Sequence, residues 1–277
     1  MVAQYVIEDL AKIPVRVELA SEFRYRKPLL DKNGLVILIS QSGETADTLA
    51  ALREAKSRQV KTLAIVNVVG SSIAREADNV FYTLAGPEIS VATTKAYSAQ
   101  LIAVYTLALQ FAKERNEIEM PEYEKLIKEL DTLPDKIQEV IDNQEEIQKF
   151  AAKQAAAKDV FFIGRGIDYA VSLEGSLKLK EISYIHSEAY AAGELKHGTI
   201  SLIEDGTLVI GVLTQDELYE KTISTMDECK SRGAYLMGLT TYGNYTVEDT
   251  AEFTVYVPKT DAHFMASLAV VPLQMLG

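Results

Sequence analysis

Short apolar runs alternate along the chain with longer segments in which apolar residues recur every three or four positions. Continuous apolar runs bounded by turn residues predict strands buried on both faces, and the periodic segments predict helices. In the first half the strands fall at 15–20, 35–40, 62–67 and 80–84, with helices near 2–12, 44–58 and 95–114. Residues 121–157, rich in Glu, Lys and Gln and containing Pro134, read as two or three connecting helices. Strands resume at 159–163, 207–213, 234–240 and 253–257, with a helix at 216–231. This alternation predicts an α/β architecture with parallel sheets.

The two halves share one plan. Leu35–Ser40 and its helix match Leu208–Thr214 and its helix, 62–67 matches 234–240, and 80–84 matches 253–257. Setting Val36-Ile37 on Val209-Ile210 gives an offset of 173 residues. On that offset, the partners of strand 159–163 and of Gly164-Arg165-Gly166 fall before residue 1. The apolar segment Ala266–Leu276 stops at Gly277, whereas its counterpart helix runs on through Lys113. The expected units are 1–120, connecting helices at 121–157, and 158–277, the first lacking its first strand and the second its last part.

Composition narrows the classes. The 277 residues are 48% hydrophobic and 25% charged, as in ordinary globular proteins. A net charge of −12 argues against nucleic acid or an anionic membrane as partner, so an anionic ligand must be held by local groups. The single Cys229 excludes an internal disulfide and suits the reducing cytoplasm. No apolar stretch is long enough to span a membrane, and nothing in the histidine spacing suggests a metal.

Candidate chemistry concentrates in four places. The strand 35–40 runs into Ser40-Gln41-Ser42-Gly43-Glu44-Thr45. Hydroxyls, an amide and backbone N–H groups at a strand-to-helix turn suit a phosphate, with Ser40, Gln41, Ser42 and Thr45 as donors, although one serine there would serve as a simple helix cap. In Leu173–His186, Glu174, Lys178 and Glu181 share one narrow helical stripe flanked by Leu173, Leu177, Ile182 and Tyr184, while Ser172, Ser176, Lys180 and Ser183 form the opposite, wet face. Such charges pair on a surface in many helices, but here the apolar flanks predict partial burial and a general base of tunable pKa. His197, in the loop Gly193–Gly198, is an acid–base candidate, and Gly164-Arg165-Gly166 is a weaker one for an anion. The segment Gly86–Ala96, with Thr93, Thr94 and Lys95, reads as a helix start.

Taken together, SQSGETADT, EISVATTKAY, the stretch from Gly164 through LEGSLKLKEISYIH to EAYAAGELKHG, and the two-fold repeat resemble the sugar-isomerase (SIS) part of the glutamine–fructose-6-phosphate aminotransferase family over nearly the whole chain. The resemblance implies two pseudo-repeated SIS domains, each a flavodoxin-like three-layer sandwich around a five-stranded parallel sheet. It implies a hexose 6-phosphate held by the Ser40–Thr45 loop, Val91 and Thr93 lining the sugar pocket, Glu181 as the C1–C2 base and Lys178 beside it. His197 would open the sugar ring from a neighbouring subunit, which implies a homodimer, and no cofactor is implied. The family's glutaminase domain, with its cysteine nucleophile, has no counterpart in these residues. The family's first strand and its C-terminal lysine tail would lie outside them, so the chain alone is expected to be catalytically impaired. A glutaminase-free amino-sugar-phosphate deaminase or deglycase, and a non-catalytic sugar-phosphate sensor, are the competing readings.

Overall fold

The computed structural model describes residues 1–277. In the first half, helices α1 (Val2–Ala11) and α2 (Ala20–Phe23) precede strand β1 (Leu35–Ser40). Then come α3 (Ala46–Ser57), β2 (Lys61–Val66), α4 (Ser72–Glu76), β3 (Asn79–Tyr82) and α5 (Thr94–Glu114). Helices α6 (Met120–Asp142), which carries Pro134 inside it, and α7 (Gln144–Gln154) lead into the second half. That half comprises β4 (Asp159–Gly164), α8 (Ile167–Ile182), β5 (His186–Ala191), β6 (Leu208–Leu213), α9 (Tyr219–Lys230), β7 (Tyr235–Thr241), β8 (Phe253–Val257) and α10 (Met265–Leu276).

Both sheets are wholly parallel. The first has the order β1-β2-β3, with Leu38 opposite Ala64 and Ala64 opposite Val80. The second has the order β5-β4-β6-β7-β8, the doubly wound flavodoxin-like order, in which direction reverses between β4 and β6. Every residue of β6 is buried, because helices cover both faces of the second sheet. Helix α1 lies on α5, and α10 packs on α8, α6 and α7. The largest apolar core runs through both halves, joining Val6, Leu101, Tyr105 and Leu109 to Phe162, Leu179, Phe264 and Leu268.

Three expectations need correction. Residues 15–20 form no strand; helix α2 begins at Ala20. On the repeat's offset, this region corresponds to β5, whose only ladder is to β4. No strand of the chain stands beside β1 as β4 stands beside β6, so the segment has nothing to pair with, and the first sheet has three strands. Conversely, β5 was hidden in a helix-like composition. Helix α8 stops at Ile182, the chain turns through Tyr184 at φ 56°, and the strand starts at His186. Finally, Ser172 and Ser176 are not wet but buried, at 0% and 1% exposure, while Leu177 and Ile182 are exposed. Small hydroxylated side chains let α8 seat closely on the sheet. Ser172 Oγ donates to the Asp168 carbonyl at 2.8 Å, Ser187 Oγ to the Ser176 carbonyl at 2.8 Å, and the Ser176 and Ser187 hydroxyls lie 3.0 Å apart, so these buried serines are all paired.

Candidate active site

The turn after β1 is held by its own hydroxyls. Ser40 Oγ accepts from the Gly43 amide at 3.1 Å and lies 3.2 Å from Thr45 Oγ1. Ser42 Oγ accepts from the Glu44 amide at 3.2 Å, and Thr45 precedes the first residue of α3. Gly43 sits at φ 67°, and a Cβ there would come within 2.6 Å of Ser71 Cβ, so glycine is required twice over. The Glu44 carboxylate turns away, accepting from the Ser72 amide at 2.7 Å at the start of α4. That hydrogen bonding holds its pKa below the usual carboxylate range. The Ser42 amide donates to no other group of the chain, leaving a loop of hydroxyls and N–H groups suited to a small anion.

Asn67, at the end of β2, ties this loop to its neighbour. Its amide N–H donates to the Gln41 carbonyl at 3.1 Å. Its side chain accepts from the Ala85 amide at 2.8 Å and Thr83 Oγ1 at 3.1 Å, and donates to the Gly86 carbonyl at 2.7 Å. Beside it opens a cleft of about 480 Å³ lined by Gln41, Asn67, Val68, Gly86, Pro87 and Glu88. From there the chain runs on through Val91, 88% exposed, to Thr93, which starts α5 at φ 51°. Sequence reasoning missed Asn67. Its signal was a polar residue at the carboxyl end of a buried strand, where open α/β sheets hold ligands.

Helix α8 of the second half meets this segment. The buried Lys178 Nζ donates to the Ala92 carbonyl at 2.7 Å and to Glu181 Oε2 at 2.5 Å, and lies 3.6 Å from Glu174 Oε1. The Glu181 side chain is 33% exposed and that of Glu174 only 12%. Burial pushes the Glu174 pKa up, with Lys178 pulling it back. One buried ammonium thus serves two carboxylates, and the outer one, Glu181, is open to a ligand. The structure therefore brings Lys178 and Glu181 against the Val91–Thr93 segment, and the Ser40–Thr45 loop against Gly86 through Asn67.

His197 ends a short 3₁₀ turn, Leu195–His197, and is exposed; no hydrogen bond or ion pair joins it to Lys178 or Glu181 within the chain. Arg165, after β4, donates to the Lys221 carbonyl and to Thr225 Oγ1, both at 3.3 Å. The cleft it faces mixes Lys196 and Lys221 with Glu220 and Glu228. No three His, Cys, Asp or Glu side chains converge as metal ligands, and no helix is long and apolar enough to cross a membrane.

The sequence profile of the SIS domain matches residues 1–110 and 155–276, one stretch in each half of the fold. The chain belongs to the SIS domain family. Among SIS proteins it is 56% identical over 277 residues to the glutamine–fructose-6-phosphate aminotransferase of Caldanaerobacter subterraneus subsp. tengcongensis, covering all of this chain and 46% of that one. The chain thus spans about half the length of the curated relatives it matches. Among solved SIS structures, the C-terminal domain of the glucosamine-fructose-6-phosphate aminotransferase from Francisella tularensis superposes with a TM-score of 0.94 at 38% identity, covering 100% of this chain and 78% of that one. A glucosamine-6-phosphate deaminase from Thermotoga maritima follows with a TM-score of 0.78 at 26% identity, covering 99% and 78%. The likeness extends through both SIS repeats and the helices between them.

Proposed function

We propose that this chain is the sugar-isomerase part of a glutamine–fructose-6-phosphate aminotransferase, with residues 1–120 and 158–277 as its two SIS units and 121–157 as the bridge. The contact of Lys178 with the Ala92 carbonyl carries this reading, because it sets Glu181 beside a segment that leads back to the Ser40–Thr45 loop. In this reading the 6-phosphate of fructose 6-phosphate takes the hydroxyls of Ser40, Ser42 and Thr45 and the side chain of Gln41. The sugar passes Val91 and Thr93, and its C1–C2 end reaches Glu181. Moving a proton between adjacent carbons needs one group that accepts and returns it. Glu181 is exposed enough to reach the sugar, and Lys178 offsets the negative charge that develops. The exposure of His197, away from that pair, supports a second copy of the chain supplying the ring-opening histidine. Ammonia would come from a glutaminase domain of the longer polypeptide.

The test is Glu181→Gln in the full-length parent. Isomerisation of fructose 6-phosphate should fall by about 10²–10⁴-fold while sugar-phosphate affinity stays the same. Undiminished turnover overturns the assignment. Mixing Glu181→Gln and His197→Ala subunits tests the shared site: hybrids should regain activity that neither parent shows. The likeness to the deaminase favours a second reading, ammonia release from glucosamine 6-phosphate. Glutamine-independent release by the parent, without synthesis, would support that one instead.

A further inference from the structure

The second half contains a strand-end loop, Leu213–Leu218, in the position of Ser40–Thr45; it carries Asp216 and Glu217 where the first loop has Gly43 and Glu44, and the Asp168 carboxylate already takes its first two free amides. The offset that places Gln41 on Thr214 and Ser42 on Gln215 puts this loop after β6, next to the reversal point between β4 and β6. In doubly wound sheets that is where ligands bind. Asp168, the second residue of α8, is 2% exposed and reaches across the reversal point. Its Oδ2 accepts from the Thr214 amide at 2.7 Å and the Gln215 amide at 3.2 Å, and its Oδ1 accepts from the Thr214 hydroxyl. In the first half the matching Ser42 amide has no acceptor in the chain.

No lysine or arginine pairs with Asp168. Backbone N–H groups and a hydroxyl hold its charge, as they would hold a phosphate monoester. Burial pushes its pKa up to about 6, opposed by these hydrogen bonds, which favour the ionised form. The backbone around it is fitted to the purpose. A Cβ on Gly164 would fall 2.6 Å from the Asp168 carbonyl carbon, so only glycine lets the start of α8 come this close to the end of β4.

We propose that the loop Thr214–Leu218 is a phosphate cradle closed by the chain's own Asp168 carboxylate, and that removing this carboxylate opens a second site for a phosphate monoester. The comparison of loops rests on the reading of Ser40–Thr45 given above, but the test counts sites relative to the unsubstituted chain, so failure of that reading leaves it readable. The 277-residue chain and its Asp168→Ser and Asp168→Asn variants are titrated with inorganic phosphate by calorimetry and thermal shift. Asp168→Ser should bind one more phosphate per chain than the parent, with a larger rise in Tm on adding phosphate. Asp168→Asn, which keeps the volume and an acceptor, should gain none. If Asp168→Ser folds only in phosphate, and not in chloride of equal ionic strength, the proposal is supported. A folded Asp168→Ser with no added site, or one unfolded in both salts, overturns it.

Discussion

Lys178 shows how much one residue can be asked to do. Its ammonium is buried among Glu174, Glu181 and a carbonyl of the other half, so its removal leaves a buried carboxylate and a buried carbonyl unpaired. Lys178→Met should cost about 3–5 kcal/mol in urea unfolding, far more than an exposed helical ion pair is worth. If the loss is under about 1 kcal/mol, the pair is a surface one after all. The stripe Glu174–Lys178–Glu181 was legible because helical spacing alone sets those side chains together. The serines on the opposite face were misread for an equally physical reason. A hydroxyl that finds a carbonyl one turn away carries its own partner into the core, so polarity did not mean exposure. Asn67 and Asp168 left no periodic trace at all, because their partners are remote in sequence.

At the scale of elements, pattern located the helices and the buried strands, and it failed where a strand depends on its neighbour. Residues 15–20 alternate like a strand yet have no ladder to join, whereas His186–Ala191, with two Ala, one Glu and no Val or Ile, is a strand because β4 offers one. Close packing of helices was also out of reach of pattern. Gly175 lets α10 approach α8 so nearly that a Cβ would lie 2.7 Å from Leu273 Cδ1 and 3.1 Å from Phe162 Cε1. Gly175→Val should therefore cost about 1–3 kcal/mol through overpacking, measured as a lower urea midpoint with an unchanged m-value. In the turn before α3, Gly43→Ala forces φ 67° on a residue with a Cβ and drives that atom into Ser71. The expected cost is about 1–3 kcal/mol, together with weaker phosphate binding by calorimetry. An unaltered phosphate affinity would separate this turn from the ligand.

For the molecule as a whole, the halves are also tied by His263, which stands between Asp9 of α1 at 2.7 Å and Asp261 at 2.6 Å. Burial lowers its pKa, but the hydrogen bonds to Asp261 and Asp9 raise it further, and the net shift is upward. A histidine whose folded pKa exceeds its unfolded value of about 6.5 stabilises fully below that value, and the benefit fades as pH rises through the folded pKa. Between pH 6 and 9 the urea midpoint of the parent should therefore fall more than that of His263→Gln; parallel curves would show that the histidine contributes nothing. Beyond the site, the three-stranded sheet has a solubility consequence. Strand β1 is a rim with one ladder only, and Leu35 and Ile39 on it are 44% and 43% exposed. An open apolar rim is a template for a strand from another molecule, and the charge of −12 keeps molecules apart only as far as a Debye length of about 8 Å at 0.15 M salt. Added salt should thus raise light scattering from concentrated solutions, and Ile39→Lys should abolish the rise. In the 277-residue chain, the open side of the first sheet is thus a matter of colloidal behaviour.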